Sequence, residues 1–366
     1  MELKVHIVVF FYKSFNFLRS AVILIILIFG ILVKPINSQD LYNFNHGGIS
    51  RQYYLYQPQS LPVGSPLVFV FHGYGSNALN IMNYSNMNNV ADSNLFAVCY
   101  PQGTYDDYGS QFWNVGYEFH SNEIDDLNFV LDLSQYLTSE HHFSRNNIFS
   151  TGMSNGGDFS YLLACEASNV FQAIAPVAGT MMEWMYNSCQ PNEPLSIFEI
   201  HGTDDSITLW EGDLDNSEGW GPYLDIPSII EFWQTENECQ SFIVDTLENF
   251  NQSDGSFIIS ETYYNCIYDN EVKLYKIING EHDWPGAYGN MDIHSAGEIW
   301  AFFEGNLQVE FVGDVNFDSS LDIQDLLTIS DYLLDGNPYY FLYDFDGNYN
   351  LNGLDIISII NYILGS

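Results

Sequence analysis

Residues 146–157 read NNIFSTGMSNGG, and this stretch decides the fold. The apolar residues before Gly152 are typical of a short buried strand, and the residues after Gly157 have the apolar spacing of a helix. Ser154 is the central residue of the pattern GxSxG, in which a serine stands on a tight turn between a strand and a helix. Flanking glycines permit the strained backbone of such a turn. The sequence therefore predicts that Ser154 is a nucleophile, with an ordinary turn serine as the alternative.

Short β-rich runs recur along the chain, and each ends at a loop that contains glycine. Four further runs of this kind occupy residues 67–71, 95–100, 197–200 and 272–278. Segments with helical spacing separate them, and this alternation predicts an α/β fold with a mostly parallel sheet and helices on both faces. Ligands in such folds bind beyond the carboxyl ends of the strands, so we expect the functional residues in those loops.

A serine nucleophile needs a histidine as general base, and three histidines follow Ser154 in the chain. His282 follows a predicted strand in the loop GEHDWPG (residues 280–286) and is the candidate base. His201 ends another strand, so we interpret it as structural. His294 lies in a stretch with helical spacing and is interpreted as a surface or packing histidine.

The histidine in turn needs a carboxylate, and in this type of fold the chain order is serine, acid, histidine. The loop HGTDD (residues 201–205) follows a predicted strand and offers Asp204 and Asp205. Spacing leaves both open, and Asp205 is the preferred candidate.

The oxyanion hole and the substrate surface draw on other loops. Two N–H donors are needed for a developing oxyanion, and the backbone amides of Asn155 and Tyr74 are the candidates. Trp113 and Trp284 are candidates for stacking on a sugar or a phenolic acid, with burial in the core as the alternative for each.

The composition excludes some classes of protein. The 366 residues carry a formal net charge of −39 at pH 7, from 47 acids and 8 bases. A surface this acidic repels phosphate backbones, so we expect no nucleic-acid partner. Hydrophobic residues make up 46% of the chain and aromatic residues 16%, which is ample for a packed core and excludes disorder.

Residues 1–38 have the layout of a secretory signal. Lys4, Lys13 and Arg19 precede the apolar run 21–33, and the small residue Ser38 follows it. The run is shorter than the roughly 20 residues needed to cross a bilayer. We therefore predict cleavage near Ser38 and a secreted, extracellular protein with no membrane contact, with a retained membrane anchor as the alternative.

Five cysteines follow this segment, and none of them lies in a CxxC pattern. In an oxidising compartment, two pairs and one free thiol are expected. Pairing between sequence neighbours gives the disulfides Cys165–Cys189 and Cys239–Cys266. Cys99 lies in a predicted buried strand and is expected to be an unreactive core thiol.

The chain after residue 305 contains an internal repeat, in which residues 314–325 return as residues 344–355. Both loops place oxygen-bearing side chains at positions 1, 3, 5, 7, 9 and 12, the pattern of calcium-binding loops, and an apolar helical segment follows each. We therefore predict two structural Ca²⁺ ions that fold this part of the chain, and no cofactor for catalysis. The predicted ligands are Asp314, Asn316, Asp318, Ser320, Asp322 and Asp325 in the first loop and Asp344, Asp346, Asn348, Asn350, Asn352 and Asp355 in the second.

The motifs of residues 50–305 together resemble those of secreted esterases of the polyhydroxybutyrate depolymerase type, α/β-hydrolases that include feruloyl and acetylxylan esterases of carbohydrate esterase family one. The resemblance implies Ser154, Asp205 and His282 as the catalytic triad, because the family carries its acid at the last position of HGTxD. It also implies the two local disulfides. The chain departs from the family at Tyr74, where glycine or cysteine is common, and in Asn279-Gly280-Glu281-His282, where Gly-Gly-Gly-His is usual. We expect both departures to reshape the substrate cleft. The motifs are FHG (71–73), YPQG (100–103), WNVG (113–116), DD (125–126), GMSNGG (152–157), APVAG (175–179), HGTDD (201–205) and HDWPG (282–286).

The duplicated loop–helix units of residues 306–366 are similar to a type I dockerin domain. Ser319 and Tyr349 replace the usual glycine at loop position 6. The usual recognition positions, residues 323–324 and 353–354, are Ile-Gln and Gly-Leu instead of small hydroxyl residues. The resemblance implies a cohesin-like or cell-surface scaffold as partner.

The sequence thus predicts a signal peptide at residues 1–38, an α/β-hydrolase esterase domain at 39–305 and a dockerin-like domain at 306–366. The predicted function is a secreted serine esterase that releases feruloyl or acetyl groups from polysaccharides through an acyl-enzyme on Ser154. A polyhydroxybutyrate depolymerase that acts on polyester with the same triad is one alternative. A non-catalytic adhesion or scaffold protein is the other.

Overall fold

The structure is a computed structural model that describes residues 40–119, 124–308, 312–315, 320–336, 340–347 and 350–365. These residues belong to one compact unit. The predicted signal segment lies outside the described residues.

A large mixed sheet organises the described residues. Its strands are β1 (Asp40–His46), β2 (Ile49–Tyr56), β3 (Leu67–Phe71), β4 (Ala97–Pro101), β7 (Ile148–Met153), β8 (Ala173–Val177), β9 (Ser196–Gly202), β10 (Ser241–Thr246), β11 (Phe257–Tyr264) and β12 (Val272–Ile278). Two further short strands, β5 (Thr104–Tyr105) and β6 (Gln111–Phe112), pair with each other outside it. The order across the large sheet is β1-β2-β4-β3-β7-β8-β9-β12-β11-β10.

The centre of the sheet is parallel, and its edges are antiparallel. Strands β4, β3, β7, β8, β9 and β12 pair in parallel. The β1–β2 hairpin joins β4 in antiparallel fashion at one edge, and β11 and β10 do so beside β12 at the other. The predicted α/β class with a mostly parallel sheet is confirmed. Strand β12 matches its predicted run, residues 272–278, and β7 extends beyond Ser150 to Met153.

The helices that the structure describes have between 6 and 15 residues. They are α1 (Ala78–Ser85), α2 (Met87–Asn94), α3 (Asp126–Glu140), α4 (Asn155–Glu166), α5 (Glu183–Ser188), α6 (Ile226–Glu236), α7 (Ser295–Gly305), α8 (Ile323–Leu334) and α9 (Gly353–Leu364). Side chains cap several of them: Asp125 accepts from the Asn128 amide at 3.0 Å, and His294 accepts from the Gly297 amide at 3.3 Å. His294 is therefore a helix cap. None of the helices that the structure describes is long and apolar enough to span a membrane.

Two hydrophobic cores cover the two faces of the sheet, as the alternation of side chains in β3 illustrates. Leu67, Phe69 and Phe71 belong to one core, and Val68 and Val70 belong to the other. Successive residues of a strand point to opposite faces, so a strand that is apolar throughout needs cover on both. Helices α3, α4 and α6 supply it on the first face, and α1, α2 and α7 supply it on the second.

The disulfides Cys165–Cys189 and Cys239–Cys266 are both present, as predicted. Cys99 is free and fully buried in β4, and burial raises the pKa of its thiol. A thiol kept protonated in an apolar strand is unreactive, which agrees with the core role expected for it.

A buried ion pair joins β2 to the start of α3. The Arg51 guanidinium lies 2.6 Å from Asp126 Oδ1 and stacks 3.9 Å from the centre of the Phe129 ring. The other oxygen of Asp126 accepts a hydrogen bond from the Asn114 amide at 2.8 Å. This hydrogen bond joins the motif WNVG (113–116) to the motif DD (125–126), and it fixes the loop that carries Trp113.

The C-terminal helices have a small core of their own. Its buried members are Val315, Leu326, Ile329, Tyr340, Leu342 and Ile359. This core contacts the part of the chain that carries the sheet through Arg145, whose guanidinium lies 4.0 Å from the centre of the Tyr340 ring.

Candidate active site

The turn at Ser154 has the strained geometry that the GxSxG pattern predicts. Ser154 adopts φ +56° and ψ −124°, and its amide donates to the carbonyl of Val177 on the neighbouring strand at 2.9 Å. A Cβ on Gly152 would lie 2.5 Å from the carbonyl oxygen of Gly156, and a Cβ on Gly156 would lie 2.3 Å from that of Phe71. Both positions therefore require glycine, because β7, α4 and β3 lie too close together at this turn to leave room for a side chain.

Two backbone amides flank Ser154. Asn155 begins α4, and the loop of Gly73 and Tyr74 passes so close that a Cβ on Gly73 would lie 3.3 Å from Ser154 Cβ. Within the described part of the chain, no acceptor is bonded to the amide of Tyr74 or of Asn155. The Asn155 side chain is occupied elsewhere, since its Oδ1 accepts from the Trp113 amide at 2.7 Å. Both predicted oxyanion donors thus remain available beside the serine hydroxyl.

His72 fixes the loop that presents Tyr74. Its Nδ1–H donates to the carbonyl of Gly73 at 2.8 Å, and its Nε2 accepts from the Gly103 amide at 3.0 Å. Burial lowers the pKa of His72 to about 4. The ring is therefore neutral at neutral pH and serves as a brace.

Asp205, and not Asp204, lies beside the candidate base. Asp205 Oδ2 accepts from Nδ1 of His282 at 2.7 Å. Its Oδ1 accepts from the amides of Ile207 and Thr208, both at 2.8 Å, so the buried carboxylate is held in one orientation. Asp204 is exposed. Asp205 is the preferred candidate of the two, and it is the one that contacts the imidazole.

The acid loop and the histidine loop are bonded to each other. The amide of Asp204 donates to the carbonyl of Gly280 at 2.9 Å, and the amide of Thr203 donates to that of Ile277 at 2.9 Å. A Cβ on Gly202 would lie 2.3 Å from the oxygen of Gly280. The glycine in HGTDD is needed because the two loops touch at this point.

Ser154, Asp205 and His282 follow β7, β9 and β12, which lie close together in the parallel part of the sheet. Ser154 and His282 line one pocket of about 610 Å³, here called the large pocket, together with Asn80, Asn83, Tyr84 and Tyr74. A cavity of about 20 Å³, here called the small pocket, also reaches Ser154 and Tyr74, and its walls include Tyr117, Thr180, Met182 and Tyr223.

His201 has a closer relation to the site than its interpretation as a structural residue suggests. Its Nδ1 lies 2.9 Å from the Glu199 carboxylate, its Nε2 donates to the carbonyl of Thr208 at 2.9 Å, and Nε2 lies 3.6 Å from Asp205 Oδ2. Burial raises the pKa of Glu199 to about 7. Burial opposes protonation of His201, but Glu199 offsets it and the pKa of His201 is raised. The sequence signal for this pair is the two-residue spacing on one strand, which places both side chains on the same face.

Of the two alternatives for Trp113 and Trp284, the structure favours burial in the core over contact with substrate. The two side chains are 0% and 1% exposed and belong to the cores on opposite faces of the sheet. Trp113 Nε1 donates to the carbonyl of His72 at 3.0 Å, and this bond stabilises the loop that carries Tyr74 from the side of the core. The aromatic side chains that do line the pockets include Tyr84 and Trp220, which belong to none of the motifs identified in the sequence.

The second of the two predicted calcium loops brings three carboxylates together. One oxygen each of Asp344, Asp346 and Asp355 lies within 4.8 Å of the others. Hard oxygen ligands at this spacing fit a divalent cation such as Ca²⁺. Asn352 caps α9 through the Leu354 amide, and its counterpart Asp322 in the first loop caps α8 in the same way.

Not every predicted calcium ligand can be placed. Asn316, Asp318 and Asn348 lie outside the described residues. In the first loop, Asp314 and Asp325 are both buried, and Asp325 Oδ1 accepts from the Val315 amide at 2.9 Å.

A serine on a tight turn after a central parallel strand, with a histidine–aspartate pair beyond neighbouring strands, defines the α/β-hydrolase class. Residues 50–193 match the family described as Esterase PHB depolymerase. The bifunctional acetylxylan esterase/xylanase of Neocallimastix patriciarum is 26% identical over 164 residues, which cover 45% of this chain and 23% of that protein. Feruloyl esterase B of Piromyces equi is 25% identical over 222 residues, 60% of this chain and 39% of that protein. The chain thus matches less than half the length of either relative.

The fold is also found in a solved structure. The acetyl xylan esterase from Aspergillus awamori superposes with a TM-score of 0.50 at 15% identity, covering 73% of this chain and 99% of that one. The α/β-hydrolase fold is therefore shared, and the sequence matches support a carboxylesterase.

Proposed function

We propose that this chain is a secreted serine esterase that releases feruloyl or acetyl groups from polysaccharides. The proposal rests on the 2.7 Å hydrogen bond between Asp205 and His282 beside the pocket that Ser154 and His282 share. A histidine that is held by a buried carboxylate and shares a pocket with a serine hydroxyl is the arrangement expected for nucleophilic ester hydrolysis.

In the proposed mechanism, the Ser154 hydroxyl attacks the ester carbonyl while His282 accepts its proton. The amides of Tyr74 and Asn155 donate to the oxyanion. The alcohol then leaves with the proton from His282, and water, activated by the same histidine, hydrolyses the acyl-enzyme. Asp205 stays ionised, holds the tautomer of His282 and stabilises the imidazolium.

The polysaccharide substrate is supported by the similarity to an acetylxylan esterase/xylanase and a feruloyl esterase. The amide and phenol groups of Asn80, Asn83 and Tyr84 in the large pocket also support it. Such groups can bind sugar hydroxyls by hydrogen bonding. The family match at residues 50–193 favours one second candidate, a polyhydroxybutyrate depolymerase with the same triad.

A panel of three substrates tests this proposal. We expect a higher kcat/KM on acetylated or feruloylated xylo-oligosaccharides than on hydroxybutyrate oligomers, measured by release of acid. Faster hydrolysis of the hydroxybutyrate oligomers would favour the depolymerase instead. Hydrolysis of none of them would favour the non-catalytic adhesion or scaffold protein.

For the C-terminal region, we propose two structural Ca²⁺ ions and a dockerin-like role in attachment to a cohesin-like or cell-surface scaffold. Asp344, Asp346 and Asp355 would provide ligands in the second loop, with no part in catalysis. Apolar side chains at equivalent places in the repeat are exposed, among them Leu334 at 84% and Leu364 at 73%, and offer a contact surface. The two disulfides support a secreted protein, because they form in oxidising compartments.

Removal of Ca²⁺ is expected to unfold the C-terminal helices and leave ester hydrolysis nearly unchanged. Without the cation, the carboxylates within each loop repel one another and the loop no longer supports its helix. The candidate triad lies in loops of the large sheet, so its geometry does not depend on the cation. Circular dichroism with and without EDTA measures the helix loss, and turnover of a soluble ester measures activity. An Asp355→Asn variant should show the helix loss without chelator. Loss of turnover while the sheet remains folded would contradict this assignment.

A further inference from the structure

The ester that Ser154 attacks must extend into two pockets. Ser154 and Tyr74 line both the large and the small pocket, so the carbonyl carbon lies where the two meet. His282 lines the large pocket but is not part of the wall of the small one. This asymmetry decides which half of the ester occupies which pocket.

The chemistry of the first half-reaction fixes the orientation. When the tetrahedral intermediate collapses, the bond between the carbonyl carbon and the alcohol oxygen breaks, and the oxygen takes the proton that His282 received from Ser154. The leaving oxygen must therefore lie within reach of His282, on the side of the large pocket. The oxyanion points to the amides of Tyr74 and Asn155. The remaining substituent, the acyl chain, then points into the small pocket.

The size of the small pocket limits the acyl chain. Its volume is about 20 Å³. A cavity of roughly 10–15 Å³ is enough to hold one water molecule, and a water molecule is close in size to a methyl group. We propose that the small pocket is an acyl subsite that selects acetyl esters, with the sugar alcohol in the large pocket. This inference rests on the proposed esterase function and narrows it, since neither a feruloyl ring nor a hydroxybutyryl chain fits there.

The walls of the small pocket are tied together by hydrogen bonds. Asp158 accepts from the Tyr117 hydroxyl at 2.6 Å and from the Thr180 amide at 2.8 Å. The hydroxyl of Thr180 donates to the carbonyl of Leu224 at 2.9 Å. Tyr117, Asp158 and Thr180 are all buried, so this wall moves only if buried bonds break. A longer acyl chain directed at this wall meets side chains that are held in place by those bonds.

The large pocket has the volume that the alcohol side requires. Its volume of about 610 Å³ lies within the usual range of roughly 300–1,000 Å³ for small-molecule sites. Asn83 uses its Nδ2 to donate to the Leu79 carbonyl at 2.9 Å, which leaves its Oδ1 to accept from a sugar hydroxyl. One sugar unit with its O-acetyl group therefore fits the site in the proposed orientation.

A series of p-nitrophenyl esters tests the acyl subsite, because the alcohol stays constant and the acyl chain varies. We expect kcat/KM for the acetate to exceed that for the butyrate by about 100-fold, since each rejected methylene is worth roughly 10-fold or more. The ferulate should be hydrolysed still more slowly. If the butyrate or the ferulate is hydrolysed as fast as the acetate, the acyl subsite is wrong and the esterase function stands. If no ester is hydrolysed, the proposed function itself fails.

Two neighbouring methionines provide a matched pair of variants. Met182 lines the small pocket, whereas Met181 is buried in the core and does not. Met182→Ala should narrow the preference for acetate over butyrate by about 10-fold, and Met181→Ala should leave that ratio unchanged. If the ratio of kcat/KM for acetate to that for butyrate is the same in both variants and in the unaltered protein, Met182 does not bound the acyl subsite and the assignment is wrong. The ester series on the unaltered protein decides the proposal even if a variant does not fold.

Discussion

Replacing Ser154 with alanine is expected to lower kcat for p-nitrophenyl acetate by about 10⁴- to 10⁶-fold while the protein stays folded. The variant lacks the atom that forms the acyl-enzyme, and the remaining oxyanion donors supply only a small part of the rate. Alanine and serine have nearly equal steric requirements at φ +56°, so the turn should persist. Ester turnover and the circular dichroism spectrum measure the two effects. A phosphonate probe that modifies activated serines should label the unaltered protein and not this variant.

The matched control is Ser150→Ala, in strand β7 and four residues before Ser154. The Ser150 hydroxyl donates to Ser160 Oγ at 2.8 Å inside the core and lies outside both pockets. Losing this bond should cost about 1 kcal/mol of unfolding free energy and leave turnover within a few-fold of the unaltered protein. Turnover that survives in Ser154→Ala would contradict the assignment of the nucleophile.

Replacing Asp205 with asparagine is expected to lower kcat by about 10⁴-fold, whereas Asp204→Asn should have little effect. Oδ1 of the new amide can still accept from Ile207 and Thr208, so the loop should keep its shape. Its NH₂ group would then face Nδ1 of His282 and force the ring proton onto Nε2. That tautomer cannot accept the proton of Ser154.

Asp204→Asn is the natural control because the two residues are adjacent and chemically identical, and only Asp205 contacts His282. Values of kcat measured from pH 5 to pH 9 for both variants separate a lost tautomer from a lost fold. Equal losses in the two variants, or a larger loss in Asp204→Asn, would contradict the assignment of the acid. Thermal unfolding should be similar for both, since neither change removes a residue from the hydrophobic cores.

Local patterns in the sequence determined much of the fold and the types of residue at the site. Runs such as residues 67–71 are apolar on both faces and end at glycine, and a buried parallel strand is their simplest explanation. Ser154 was identified because its turn forbids a side chain at Gly152 and Gly156, a requirement visible in the letters themselves. The disulfides also followed from the sequence, since each joins cysteines that are near neighbours in the chain.

The tertiary structure alone decided which of several equivalent residues reach the site. Asp204 and Asp205 are adjacent in the chain and have the same chemistry. Only Asp205 is buried at the imidazole, because its carboxylate accepts from the amides of Ile207 and Thr208. Trp113 lies in a motif next to the site, yet its ring points into the core behind His72. The two pockets likewise combine side chains from loops far apart in sequence. Spacing along a chain specifies an element and its loop, whereas the direction of a side chain depends on contacts that form only when distant loops meet.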